Sequence, residues 1–115
     1  MPYLKLTTNV EIPEQQSPKL LGELSKLMAK ETGKPERYVL VECVENKAML
    51  FAGSDAPLAY LECKSIGLSP GQAKSISAAV NSLLASSLNI QGDRIYIEFS
   101  NCPSEFWGWN GSTFG

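Results

Sequence analysis

The feature that most constrains this chain is a series of elements that occurs twice. An apolar strand-like run leads to a proline-marked helix start, an apolar stripe at helical spacing, and a second run rich in Val, Ile or Leu; the series then repeats. In the first half, Tyr3–Thr8 reads as a strand and residues 9–16, with Pro13, as a loop. Ser17-Pro18 supplies an N-cap and a proline at the first helical position. Leu20, Leu21, Leu24, Leu27 and Met28 form one stripe, Gly33 and Pro35 end the helix, and residues 37–45 are the next strand. Residues 49–51 read as a short extra strand and 53–57 as a turn cluster. In the second half, residues 58–66 are a strand, and Ser69-Pro70-Gly71-Gln72 opens a helix with the makings of a capping box. Ile76, Val80, Leu83, Leu84 and Leu88 form its stripe, and residues 94–100 are the last long strand. Glu36-Arg37 and Asp93-Arg94 open the second strand of each unit.

Two β-α-β units make their paired strands parallel and right-handed. The expected fold is α+β: one domain over residues 1–115, with pseudo-repeats at about 2–45 and 57–101 and a tail over 102–115. A four-stranded mixed sheet carries both helices on one face. The other face is then bare, and with Phe106, Trp107, Trp109 and Phe114 in the tail the chain is expected to pack against further copies of itself in a closed oligomer. A ferredoxin-like arrangement uses the same element order and is the alternative; the acidic balance argues against its RNA-binding form.

The net charge of −2 gives no attraction for nucleic acid or an anionic membrane. No apolar run approaches the ~20 residues that span a bilayer, and the first residues lack a signal-peptide pattern. The expected compartment is the cytosol; export by an unconventional route leaves no mark in a sequence. Cys43, Cys63 and Cys102 are widely spaced, so they read as reduced thiols and not as a redox pair or metal site. There is no histidine, which excludes Ser-His-Asp and Cys-His chemistry and every His-ligated metal. Proton transfer near neutral pH then falls to a carboxylate, lysine or cysteine of shifted pKa, or to the chain's terminal amine.

Met1 is expected to be excised before a residue as small as Pro2, leaving a secondary amine at the chain end. Desolvation and a nearby cation would lower its pKa toward the range of a working general base. Taken singly, Pro2 reads as an ordinary strand-start proline. Lys34 in Thr32-Gly33-Lys34-Pro35 is either a helix C-terminal cation or the partner of a substrate carboxylate. Ser65-Ile66-Gly67 is a strand end that could also offer a backbone N–H to a ligand oxygen, and Tyr96 and Trp107 are either core residues or pocket walls.

Met1-Pro2, Thr8-Asn9-Val10, Thr32-Gly33-Lys34-Pro35, Phe51-x-Gly53-Ser54, Ser65-Ile66-Gly67, Asp93-Arg94-Ile95-Tyr96-Ile97 and 108–114 follow one another in this order. As a set, running almost end to end, they resemble the macrophage migration inhibitory factor and D-dopachrome tautomerase family. The resemblance implies a homotrimer with sites between subunits and cofactor-free keto–enol tautomerisation of small aromatic 2-keto acids such as phenylpyruvate, or of dopachrome-like compounds. It implies no metal. A signalling protein that docks on a receptor or host protein, with vestigial catalysis, is the alternative. Pro2 matches the family's catalytic proline, Lys34 and Ile66 its ligand-binding lysine and isoleucine, and Tyr96 a tyrosine from the adjacent subunit. The chain departs from the vertebrate cytokine at Glu98, where an asparagine is usual, and at Tyr3 and Trp107, where smaller or more flexible residues are usual. Leu58 and Leu61 replace its Cys-x-x-Cys, which puts thiol–disulfide activity in doubt.

Overall fold

Alternate residues of the first strand vanish from solvent. Leu4, Leu6 and Thr8 of β1 (Tyr3–Thr8) are fully buried, while Tyr3, Lys5 and Thr7 point the other way. The same alternation runs through β3 (Ala59–Ile66), where Ala59, Leu61, Cys63 and Ser65 are buried. Against this face lie α1 (Ser17–Thr32) and α2 (Pro70–Leu88), which bury Leu20, Leu24 and Met28 on one helix and Ile76, Val80 and Leu84 on the other. These positions are the sequence stripes, and together they form a single core between sheet and helices. The computed structural model describes all residues, 1–115.

The sheet has the order β2-β1-β3-β4, with β2 at Leu40–Val44 and β4 at Ile95–Cys102. β1 pairs with β2 and β3 with β4 in parallel, and the two units meet along the antiparallel β1–β3 ladder. Neither unit has a strand inserted between its own two, which sets the ferredoxin-like alternative aside. The fold is therefore the expected α+β sandwich, with both helices on one face of a mixed four-stranded sheet.

Local details differ from expectation where turns compete with regular structure. Ser17 is the first helical residue and not the N-cap: the N–H groups of Gln16 and Ser17 both donate to the Pro13 carbonyl, so the chain is already turning and Gln16 takes the cap position. Ser69 does cap α2, and its reciprocal bonds with Gln72 (3.1 and 2.9 Å) complete the capping box. Glu36–Tyr38 and Gly92–Arg94 are short 3₁₀ turns before β2 and β4, not the first residues of those strands. Residues 49–51 join no strand. Phe51 and Ser54 instead exchange hydrogen bonds of 3.0 Å across a two-residue turn, with φ of +54° at Ala52 and +73° at Gly53.

The sheet face away from the helices is bare in the single chain, as expected, but it is less apolar than expected. Tyr3, Tyr60 and Tyr96 share it with Lys5, Glu42, Glu62, Lys64 and Glu98. The tail ends in a small hairpin of β5 (Gly108–Trp109) and β6 (Ser112–Thr113), turning at Asn110-Gly111. No helix is long and apolar enough to cross a membrane.

Candidate active site

Pro2 is fully buried at the mouth of the sheet, and its carbonyl accepts the Leu40 N–H at 3.0 Å. The β1–β3 register matches Tyr3 with Lys64, so one step further places Pro2 opposite Ser65, itself almost fully buried. Lys34 reaches the same end of the sheet. α1 stops at Gly33, which takes a left-handed φ of +71° that a side-chain-bearing residue would resist. The Lys34 N–H then donates to the Thr32 hydroxyl at 3.3 Å, which fixes the chain's exit from the helix.

The electrostatics of this corner follow from that placement. The terminal ammonium, carried here by Met1, is held below its ordinary pKa, first by burial and second by the positive charge of Lys34. With Met1 attached, the Pro2 nitrogen is an amide and has no basicity to use; removal of Met1 places a secondary amine one residue deeper beside the same cation. Tyr3, next in the chain, faces the opposite side of β1 and donates its hydroxyl to Glu42 at 3.0 Å. Ile66 closes β3, and Gly67 turns the chain away at a φ of +74°.

Tyr96 and Glu98 stand elsewhere. Tyr96 pairs with Tyr60 near the start of β4, whereas Ile66 pairs with Cys102 at its end. Six residues of strand, roughly 20 Å at 3.3 Å each, separate the two positions. Within one chain the candidate residues therefore fall into two groups: Pro2, Lys34, Ser65 and Ile66 at one end, Tyr96 and Glu98 at the other. Phe51 packs on Tyr96 with ring centroids 4.6 Å apart, beside a cavity of about 440 Å³ lined only by apolar and aromatic side chains.

The tail adds residues that sequence reasoning did not place in the site. Trp109 and Phe114 stack on one another and meet the edge of the Tyr38 ring at 5.5 and 6.0 Å. Tyr38 lies two residues before Leu40, the hydrogen-bond partner of Pro2, so the chain carries this aromatic cluster toward the Pro2 end of the sheet. The half-buried Trp107 braces it, its carbonyl accepting the Phe114 N–H at 3.1 Å. Trp109 and Phe114 were visible only as tail aromatics in want of a partner. Nothing in the sequence near Tyr38 marks it as that partner.

The Cys43 and Cys63 thiols are poor nucleophiles near neutral pH. Burial pushes Cys63 up to about 11, and burial with the Glu45 and Glu42 carboxylates pushes Cys43 to about the same value.

A sheet of two fused parallel β-α-β units, with a buried proline at the chain start beside a lysine, defines a narrow class of small α+β sandwich. The chain belongs to the macrophage migration inhibitory factor (MIF) family, whose model matches residues 1–115. A macrophage migration inhibitory factor of Meriones unguiculatus is 41% identical over 116 residues, covering 99% of both chains. A homologue from Brugia malayi is 40% identical over the full length of both. Among solved structures, a homologue from Prochlorococcus marinus superposes with a TM-score of 0.92 at 38% identity, covering 98% of this chain and 99% of that one.

Proposed function

We propose that this protein is a cofactor-free keto–enol tautomerase of aromatic 2-keto acids, with phenylpyruvate as its test substrate and the amine of Pro2 as acid and base. The observation that carries this reading is the terminal ammonium of Met1, one residue from the Pro2 nitrogen, held below its ordinary pKa by burial and by Lys34. In a chain without histidine, such an amine is a proton carrier of the right strength near neutral pH. The neutral nitrogen takes a proton from the carbon beside the carbonyl; the released electron pair forms the C=C bond, and the same proton passes to the carbonyl oxygen, giving the enol. Lys34 pairs with the substrate carboxylate, and the Ile66 N–H holds an oxygen.

The two-ended distribution of candidate residues favours a homotrimer in which Tyr96 and Glu98 of one subunit complete the Pro2 corner of the next. Tyr96 and Trp107 then flank the ring, Ser65 supports the corner from within the chain, and Glu98 favours a ring substituent that donates a hydrogen bond over an anionic one. The test is phenylpyruvate turnover by chain shown by intact mass to lack Met1. Saturable turnover above the buffer rate is expected, and chain that retains Met1 is expected to be inactive. A folded chain with free Pro2 and no rate above buffer overturns the reading.

The pH profile has a defined sign. The active amine is neutral, so kcat/KM is lost as pH falls through the amine's pKa. Lys34 lowers the pKa of the Met1 ammonium, and an amine on Pro2 beside the same cation is lowered in the same sense, so Lys34→Gln is expected to move the acid limb to higher pH. It also removes the carboxylate partner and is expected to raise KM about tenfold or more. A limb that stays in place or moves to lower pH contradicts the assigned role of Lys34.

A further inference from the structure

Between β3 and α2 the chain has only Gly67 and Leu68 before the Ser69 cap, and there it must turn sharply. The N–H groups of this turn lie beyond the last rung of the sheet. A single side-chain atom takes both: the Asn101 amide oxygen accepts from Gly67 at 3.0 Å and from Leu68 at 3.1 Å. Asn101 sits on β4 directly opposite Ser65 in the parallel ladder, so the clamp spans from one strand to the end of its neighbour. Its side chain is exposed and no part of the core, whereas Leu68 is buried in it. The peptide that carries the Ile66 N–H is thus held on one side by the β3–β4 ladder. On the other side it is held by two peptides gripped by one oxygen.

We propose that Asn101 is a positioning residue that fixes the direction of the Ile66 N–H beside Pro2 by clamping the turn that follows it. This rests on the tautomerase reading, in which that N–H holds a substrate oxygen. Donors to a developing oxyanion act through fixed geometry, so loosening the turn weakens catalysis without touching the proton carrier. Asparagine is not unique in this role: an aspartate carboxylate offers the same acceptor, and alanine offers none.

The experiment compares Asn101→Ala and Asn101→Asp in chain lacking Met1, by phenylpyruvate kinetics across pH and by amide hydrogen exchange. Asn101→Ala is expected to lower kcat/KM about tenfold, leave the acid limb in place, and speed exchange at Gly67 and Leu68 about tenfold. Asn101→Asp is expected to recover both to within about threefold. An active Asn101→Ala variant with unchanged kcat/KM, an Asp variant as impaired as the Ala variant, or an acid limb displaced in the uncharged Ala variant overturns this inference alone. A wild-type chain with free Pro2 and no turnover overturns the tautomerase reading and this inference with it.

Discussion

Pro2→Gly is expected to lower phenylpyruvate kcat/KM by about a hundredfold or more, the scale of a lost general acid–base catalyst. Glycine at this position still ends in an amine after Met1 is removed, and its carbonyl can still accept the Leu40 N–H. The changes are confined to the nitrogen and its ring. The amine becomes primary, loses the ring that packs it into the corner, and gains the backbone freedom that proline denies. Steady-state kinetics, with circular dichroism to show the fold intact, measure the effect. A variant with undiminished turnover would remove Pro2 from the mechanism.

Arg94→Ala is expected to have the largest effect on stability. The guanidinium donates to four main-chain carbonyls, those of Phe51, Ser54, Ala56 and Pro57, at 2.9–3.1 Å. It also lies over the Phe51 ring, 5.3 Å from its centroid. One side chain thereby organises residues 51–57, a stretch without regular structure apart from its tight turn. Hydrogen bonds to a charged donor contribute more than neutral ones, and discounting for the partial exposure of this residue leaves a loss of about 2–4 kcal/mol. That is a large share of the ~5–15 kcal/mol that stabilises an ordinary domain. Urea unfolding measures it. Arg94→Lys is expected to recover less than half, because a lysine cannot present a planar fork to four carbonyls. Phe51 also leaves Tyr96 when the loop is freed, so aromatic substrates should bind more weakly to the Ala variant. Stability within about 0.5 kcal/mol of the parent would contradict the clamp.

Arg94 also illustrates what the sequence made legible. Its place in the repeated acidic–arginine pair was plain; both pairs lie in the short turns before β2 and β4, Glu36-Arg37 opening its turn and Asp93-Arg94 closing its own. Its work was not, because the carbonyls it bonds lie 37 to 43 residues away and carry no side-chain signature. The helix stripes were legible because burial on one helix face imposes a period that composition cannot hide. The Ser69–Gln72 capping box was legible because both partners are local in sequence. Gln16 in place of Ser17 was not, since the cap position depends on where the preceding turn at Pro13 delivers the chain. Thr8 and Asn9 were seen only as a motif. In the fold, the Thr8 hydroxyl donates to the Leu58 carbonyl at 2.6 Å and the Asn9 amide oxygen accepts the Leu58 N–H at 2.9 Å, joining the end of β1 to the approach to β3.

The candidate site was legible in chemistry and not in geometry. With no histidine in the chain, the terminal amine is a natural proton carrier, and the loop after α1 does bring Lys34 to it. No spacing rule could place Tyr96 and Glu98 at the far end of the sheet, since that follows from the parallel register of β3 with β4. Nor could one bring the tail back onto Tyr38, a contact set by the Asn110-Gly111 turn and the fit of three rings.

The most direct measurement is a titration of the Pro2 nitrogen itself, by ¹⁵N NMR on chain lacking Met1. The account predicts a midpoint below the usual α-amino range of about 7.7–8.0, moving upward in Lys34→Gln. A nitrogen that stays protonated well into the alkaline range, indifferent to Lys34, would contradict it.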